Sequence, residues 1–404
     1  MSGSFVAEER SPIAAPAQPR PQTIMTETAS RAINRACQLH DQAVSLREQR
    51  HYLRAESAAR KALKLLEAAA GPVHPDVANV LNNLAGIRMD VGDYAAAERA
   101  SARSVRIMRR CAGAAADADV RRIQVQALSN LATVYRLQGR YRAAEPCYRR
   151  ALILAEESFG RNDLEVAAAL NNLAVLYKYT GRFAAAGRLY RKVLAVMQRK
   201  LGPEHVELAS VWHNLGGLEH ARGRHARGEP LARRSVAIRE KALGPDHPDV
   251  AADLAALAAL LVGQGKLDEA EALYRRAQAI FEREYGREHY ELAVNLNNLA
   301  ALYQARGDGS EAARLFRRAL AMKEKLLGPR HPDVAVTLHN LAALHQNRKQ
   351  PVRAVPLLRR ALAIIERTLG AAHPKAVVCR RDYARVRREI RAQRGRPGRR
   401  PGEG

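Results

Sequence analysis

The chain has 404 residues, of which 47 % are hydrophobic and 27 % are charged, and this balance predicts a folded protein rather than an unstructured one. Aromatic residues make up only 5 %, so the core must be built from Ala, Leu and Val, which favours closely packed helices over sheets. The formal net charge of +26 either indicates a nucleic acid, an anionic membrane or an acidic protein as partner, or reflects a compositional bias toward Arg.

The cysteines and the amino-terminal segment indicate a reducing compartment. The four cysteines lie far apart without a C-x-x-C spacing, which argues against a disulfide framework or a zinc finger. No run of about 18 apolar residues occurs, so no membrane span is predicted. Residues 1–28 are rich in proline and lack the basic start and apolar run of a signal peptide, so we expect a disordered leader and a cytoplasmic protein.

A period of 42 residues organises the chain from 29 to 393. The segment Leu170–Ala174 recurs at this spacing, and only the first clear copy stands 47 residues before the next one. The copies occupy 81–85, 128–132, 170–174, 212–216, 254–258, 296–300 and 338–342. We therefore predict a degenerate leading repeat, seven clear repeats near 74–370 and a C-terminal capping helix at 374–393.

Each repeat has the pattern of two helices. The first begins at motifs such as His247-Pro248-Asp249, in which proline suits the first helical position and the aspartate suits the helix dipole. It ends at a glycine, and the second helix ends at Leu-Gly. Six histidines occupy the same inter-repeat turn, where we expect them to set helix starts: His74, His205, His247, His289, His331 and His373.

Two kinds of position in the repeat predict the core. One leucine recurs in the first helix of every clear repeat, at 84, 131, 173, 215, 257, 299 and 341. Small residues recur where two helices must approach closely, at 85, 132, 174, 216, 258, 300 and 342 in the first helix and at 97, 144, 186, 228, 270, 312 and 354 in the second. This pattern predicts an all-α fold of stacked helical hairpins.

The combination H-P-D-V-A, L-N-N-L-A, G-R-Y, Y-R-R-A-L and L-G resembles the 42-residue tetratricopeptide repeats of kinesin light chains and their bacterial look-alikes over roughly residues 36–385. The resemblance implies a bacterial member with a right-handed α-solenoid, in which the first helices line a concave groove. It also implies a protein-interaction scaffold or adaptor that binds peptides or protein surfaces in that groove, without catalytic activity or cofactor.

An asparagine recurs at one groove position in all clear repeats but one, where Ala256 replaces it. An amide offers both a donor and an acceptor, so it can pair with the backbone of an extended peptide of any sequence. The alternative is that these amides bond to neighbouring helices and hold the solenoid together, and the two roles can coexist. The column consists of Asn83, Asn130, Asn172, Asn214, Asn298 and Asn340.

A second groove position changes from basic to neutral along the chain. It holds Arg136, Lys178 and His220, whereas Val262 stands there in the next repeat, beside an Ala-rich stretch. This gradient predicts a partner protein or peptide with acidic residues over the basic side chains and an apolar residue over the repeat of Ala256 and Val262. The alternative is a groove that is filled by the protein's own termini.

The second helices carry paired basic residues that predict a basic stripe on the outer wall: 149–150, 191–192, 233–234, 275–276, 317–318 and 359–360. The stripe is either a solvated face or a track for a polyanion. The Arg-rich segment 394–404 predicts a flexible basic tail, which could bind nucleic acid without sequence specificity. A polyanion-associated protein is therefore the alternative function.

No motif of an enzyme stands out. The histidines lack the i, i+4 spacing of a helical zinc pair, and the sequence contains no phosphate-binding glycine loop or nucleophile elbow. We therefore predict no catalytic residue, no metal and no cofactor, and no membrane insertion.

Overall fold

The computed structural model describes residues 27–49, 51–111, 113 and 117–394, and every regular element in them is an α-helix. Residues 1–26 of the predicted leader and 395–404 of the predicted basic tail lie outside the described residues, whereas residues 27 and 28 begin α1 and Arg394 ends α17. Each repeat consists of two consecutive helices joined by a short turn, which together form a helical hairpin.

The helix bounds are Glu27–Glu48 (α1), Tyr52–Ala70 (α2), Pro75–Asp90 (α3), Tyr94–Cys111 (α4), Ala118–Leu137 (α5), Tyr141–Phe159 (α6), Leu164–Tyr179 (α7), Phe183–Leu201 (α8), Glu207–Ala221 (α9), His225–Leu243 (α10), Pro248–Val262 (α11), Leu267–Tyr285 (α12), Tyr290–Arg306 (α13), Gly309–Leu327 (α14), Pro332–Asn347 (α15), Pro351–Leu369 (α16) and Pro374–Arg394 (α17). We call the odd-numbered helices A helices and the even-numbered ones B helices.

The helices group into two compact units. The amino-terminal unit comprises 27–176 with 191–200, and the carboxy-terminal unit comprises 177–190 with 201–394. In the carboxy-terminal unit, α11 packs against α12 of its own repeat, against α10 of the preceding repeat, and against the A helices α9 and α13. In the amino-terminal unit, α3 packs in the same way against α4, α2, α1 and α5.

The core consists of the residues that the repeat pattern predicts. The recurring leucine of the A helices is at most 9 % exposed in every clear repeat, from Leu84 to Leu341. The small residues at the helix crossings are buried completely wherever they are alanine, as at Ala85, Ala300 and Ala354. Helices can approach this closely only because no larger side chain separates them.

Glycine replaces alanine at both crossing positions of α9 and α10. A Cβ at Gly228 would lie 2.5 Å from Cδ2 of the buried Leu260 and 3.1 Å from the backbone oxygen of Gly216. A Cβ fits there only if the side chain of Leu260 moves, so this crossing is tighter than an alanine would permit.

The histidines of the inter-repeat turns cap the A helices. Nδ1 of each of the six accepts a hydrogen bond from the backbone N–H two residues later, at 3.1 to 3.3 Å. This bond satisfies one of the N–H groups that a helix start leaves without a partner. The prediction that these histidines set helix starts is confirmed. At the other end of α13, Gly307 adopts the left-handed conformation with φ of 89° and closes the helix.

A polar network interrupts the apolar core between α9, α10 and α11. The carboxylate of Asp253, which is 1 % exposed, bonds to Nδ1 of His213 at 2.5 Å, to the hydroxyl of Ser235 at 2.6 Å and to Nη1 of Arg239 at 2.9 Å. Arg239 also donates to the hydroxyl of Ser210 at 2.7 Å. The buried charge of the carboxylate is therefore compensated by the guanidinium.

One repeat earlier, both charged residues of this network are replaced by apolar residues, with Met197 at the position of Arg239 and Val211 at the position of Asp253. Later repeats also place polar residues there, namely Lys323 at the position of Arg239, and Asn295 and Thr337 at the position of Asp253. Compared with the preceding repeat, the pair therefore exchanges two apolar residues for two opposite charges, which suggests a simple test.

We predict that Asp253→Val lowers the free energy of unfolding by about 3–5 kcal/mol, because it leaves the guanidinium of Arg239 buried without its carboxylate. The double variant Arg239→Met/Asp253→Val restores most of this loss, because both positions then hold residues that other repeats use. Urea denaturation followed by circular dichroism measures both. A double variant no more stable than Asp253→Val would contradict the compensation.

Candidate peptide-binding site

All six predicted asparagines lie on A helices. Asn83 is 7 % exposed, whereas the other five are half-buried and reach the surface: Asn130, Asn172, Asn214, Asn298 and Asn340. The regular spacing of the repeat therefore brings an amide to the same place on successive A helices.

Some of these amides bond to the preceding A helix. Nδ2 of Asn130 donates to the backbone oxygen of Asn82 at 3.2 Å, and Nδ2 of Asn340 donates to Oδ1 of Asn297 at 3.4 Å. At the equivalent position of α17, Asp382 bonds to Nε2 of His339 at 3.1 Å. These bonds favour the structural interpretation of the column, because each joins two neighbouring A helices.

The same amides keep hydrogen-bonding capacity. Within the described residues, the side chain of Asn172 makes no hydrogen bond. Asn298 uses its Oδ1 to accept from Nδ2 of Asn297 at 3.3 Å, and its own Nδ2 has no partner there. Asn340 uses only its Nδ2. A ligand could therefore be bound without breaking the links between A helices.

The column is interrupted at α11, where the surface is apolar. Ala256, Ala259 and Val262 are half-buried, and Ala252 and Ala255 beside them are 9 % and 5 % exposed. Ala256 has no polar group to bond with α9, so the polar link between α9 and α11 is made one helical turn earlier, by His213 and Asp253. The apolar floor that the sequence predicts is thus available on the surface of α11.

The three predicted basic residues differ in their exposure. Arg136 is only 7 % exposed and interacts with other residues of the chain, so little of its guanidinium is available to a ligand. Lys178 is half-buried, and its Nζ lies 3.3 Å from where a Cβ of Gly217 would be. His220 is exposed at the end of α9. Of the predicted basic residues, Lys178 and His220 therefore reach the surface.

A related arrangement in the amino-terminal unit escaped the sequence analysis. Arg47 holds the position of Lys178 in the degenerate leading repeat, and its guanidinium lies over Gly86, where a Cβ would be 2.4 Å from Nη1. Its Nε bonds to Oδ2 of Asp90 at 2.6 Å. The position of Arg47 can be found by stepping 42 residues back from Met89, but the leading copy preserves too little of the pattern to suggest it.

The B-helix arginines are engaged in ion pairs. The second arginine of three pairs reaches the glutamate 36 residues earlier on the preceding B helix: Arg276 to Glu240 at 2.8 Å, Arg318 to Glu282 at 3.6 Å and Arg360 to Glu324 at 2.6 Å. Arg276 and Arg360 also donate to the backbone oxygens of Pro245 and Pro329. The stripe is therefore neutralised in part by the protein itself, which favours a solvated face over a polyanion track.

Further ion pairs join the turn between the A and B helices of two repeats to the preceding B helix. The ammonium of Lys266 donates to Glu229 at 2.8 Å and, together with Gln264 and Arg233, lowers the pKa of this carboxyl to about 2. Arg140 and Gln138 bond to Glu98 in the same way at 2.8 Å and 2.9 Å. These contacts hold adjacent repeats in register.

One residue beside the site was missed by the sequence analysis. His225 begins α10, and its ring lies edge-on to that of His220 with 5.2 Å between the ring centroids. The equivalent residues of earlier repeats are Tyr94, Tyr141 and Phe183. The replacement of an aromatic residue by histidine at this position is the feature of the sequence that could have revealed His225.

The family model of the tetratricopeptide repeat matches residues 34–110, 124–199, 165–226, 207–283, 252–325, 291–367 and 333–393. The chain belongs to the tetratricopeptide repeat family, whose members are generally non-catalytic scaffolds.

In the described residues, no helix is both long and apolar enough to cross a membrane, and no cluster of His, Cys, Asp and Glu has the arrangement of a metal site. No curated protein sequence is significantly similar to the chain.

Solved structures include one that is similar in sequence and two that share the fold. A putative kinesin light chain of Podospora anserina with nearly identical TPR-like repeats is 30 % identical over 50 % of this chain and 95 % of that chain, with a TM-score of 0.37. A Rap protein complexed with Competence and Sporulation Factor is 13 % identical and covers 91 % of this chain and 100 % of its own, with a TM-score of 0.51. The Rap conjugation gene regulator of plasmid pLS20, in complex with the Phr* peptide, is 13 % identical over 79 % of this chain and 80 % of its own, with a TM-score of 0.58. The predictions of the fold class, an all-α solenoid of helix-turn-helix repeats, and of a kinesin light chain-like repeat protein are confirmed.

We predict that the double variant Arg318→Gln/Arg360→Gln lowers the free energy of unfolding by about 1 kcal/mol, because it removes two ion pairs between B helices. The matched control is Arg317→Gln/Arg359→Gln, which removes the same charge from adjacent residues that have no ion pair in the described part of the chain. Urea denaturation at low and high salt measures the difference between the two, which we expect to shrink in high salt. Equal stability of the two double variants would contradict a stabilising role of the ion pairs between B helices.

Proposed function

We propose that the protein is a non-catalytic scaffold that binds an extended segment of a partner protein along the A helices of its carboxy-terminal unit. The observation that carries this proposal is the unused hydrogen-bonding capacity of the half-buried amides, namely Nδ2 of Asn298 and Oδ1 of Asn340. Polar groups of this kind can bond to a peptide backbone whatever its sequence.

The spacing of the repeat suits an extended chain. Neighbouring helices are about 10 Å apart, and an extended peptide advances about 3.3 Å per residue, so one amide meets the ligand about every three residues. The column can therefore position a peptide backbone while the residues between the amides set the specificity. Asn83, Asn130 and Asn172 in the amino-terminal unit stay predictions of the same kind.

Two surface features suggest the chemistry of the segment. The ammonium of Lys178 favours an acidic side chain, to which the imidazole of His220 can donate a hydrogen bond, and the surface of Ala256 and Val262 favours an apolar one. Because Lys178 belongs to the repeat before His220 and Val262 to the repeat after it, we expect the acidic and apolar residues of the ligand to be a few residues apart.

The comparisons are compatible with this proposal. Two proteins that share the fold are described as complexes, one with Competence and Sporulation Factor and one with the Phr* peptide. We extend only the capacity of the fold to bind such a ligand to this chain. An intracellular peptide or protein partner fits the expected cytoplasmic location.

We predict that Lys178→Glu weakens the binding of an acidic and apolar peptide by about tenfold, because it places a carboxylate where the ligand carries its own. The probe is a rhodamine-labelled peptide of about ten residues with alternating Asp and Leu, and fluorescence polarisation measures its affinity. Lys192→Glu, which makes the same change of charge at an exposed B-helix residue, is the matched control and should leave the affinity within about twofold.

Two results would overturn the proposal. If the peptide does not bind the wild-type protein, the proposed ligand chemistry is wrong. If Lys192→Glu weakens binding as much as Lys178→Glu, the peptide responds to the overall charge or binds the B helices, and the A helices are not its site.

A further inference from the structure

Three basic side chains meet beside the apolar floor of α11. We call Lys178, His220 and His225 the basic cluster. His220 lies at the end of α9, His225 begins α10 with its ring 5.2 Å from that of His220, and Lys178 of α7 lies over Gly217, one helical turn before His220. Three groups that can carry positive charge are thus brought together from three helices.

His225 is held in place by the packing around it. A Cβ at Gly263 would lie 2.4 Å from the ring of His225, so the imidazole lies directly on the backbone at the end of α11. Its Nδ1 is buried and has no hydrogen-bond partner within the described residues. The cluster therefore contains a buried polar atom that the chain itself leaves unsatisfied, which is costly unless a ligand or solvent compensates for it.

The charges around the two rings are mostly basic. Glu219, the acidic residue next to His220, is paired with Arg222 at 2.7 Å and lies 3.9 Å from Arg224. α11 presents Val262 and Gly263, which carry no charge, and α7 presents Lys178, whose Nζ lies 5.9 Å from the ring of Tyr179. His220 keeps part of its surface exposed, but burial of its ring against the surrounding protein, and then the charges of His225 and Lys178, lower its pKa to about 4. His220 is therefore neutral at physiological pH.

We propose that an acidic side chain of the bound segment lies at the basic cluster and that the complex takes up one proton there, on the imidazole of His220. This inference rests on the proposed function. A carboxylate at the cluster compensates the charge of Lys178 and stabilises the imidazolium, so the pKa of His220 is higher in the complex than in the free protein. The proton comes from solvent, and no covalent bond changes.

The sign of the pH dependence follows from this linkage. The free protein holds almost no proton on His220 between about pH 6 and pH 8, whereas the complex holds one over part of that range. Affinity for the acidic peptide therefore increases as the pH falls. If the bound imidazole titrates near neutrality, the affinity rises about tenfold between pH 8 and pH 6. The carboxylates of the peptide remain ionised over the whole range.

The experiment measures the rhodamine-labelled Asp and Leu peptide by fluorescence polarisation at about pH 8, 7 and 6 and constant ionic strength. The wild-type protein should bind more tightly at each lower pH, and His220→Gln should show an affinity that does not change with pH. His51→Gln is the matched control, because His51 is exposed at the start of α2 and makes no side-chain cap bond, and it should keep the pH dependence of the wild type.

Calorimetry on the wild-type protein provides a readout that does not depend on a variant. The binding heat should differ between two buffers that both titrate near pH 6.5 but differ in their heat of ionisation, such as PIPES and imidazole, by the amount that corresponds to the uptake of up to one proton. Binding with no proton uptake and with the same affinity at each pH overturns this inference and leaves the proposed function intact. A pH dependence that persists in His220→Gln also overturns it. Absence of binding at every pH overturns the proposed function itself.

Discussion

The packing of one A helix against the next is the constraint on which the rest of the structure depends. Each hairpin must bury one face against its neighbour, and the buried alanines at the helix crossings allow this close approach. Polar links then fix how neighbouring A helices lie, as Asn340 does with Asn297 and His339 does with Asp382. Because the links recur with the repeat, the groups that they leave unused also recur, and this gives the A helices a regular row of partly unsatisfied amides.

The repeat of α11 shows what happens when one link is moved. Ala256 cannot bond to α9, and the bond between His213 and Asp253 takes over one turn earlier, with Arg239 compensating the buried carboxylate. As a result, the surface of α11 carries the apolar residues Ala256 and Val262 where other A helices carry an asparagine. The local loss of the asparagine is therefore coupled to the gain of two charges in the core, and both changes together give this part of the face a different chemistry from the rest.

The sequence predicts the fold and the core well but predicts ion pairs and exposure poorly. Leu84 to Leu341, the small residues and the capping histidines follow from the 42-residue period, because each repeat places the same residue in the same backbone environment. The period does not reveal the exposure of one side chain, so the burial of Arg136 was not foreseen. It also does not reveal pairs such as Arg360 with Glu324, because these depend on two residues of different repeats that the pattern does not compare. His225 was missed because its chemistry arises from its neighbour His220 and not from its own column.

Photo-crosslinking tests the central claim most directly, because it reports where a ligand lies without relying on a substitution. The Asp and Leu peptide, carrying a benzophenone in place of one central Leu, is irradiated with the wild-type protein, and the crosslinked residues are identified by mass spectrometry. The account predicts crosslinks to the A helices α9, α11 and α13, with the greatest yield near Ala256 and Val262. Crosslinks confined to the B helices α10, α12 and α14 would contradict it.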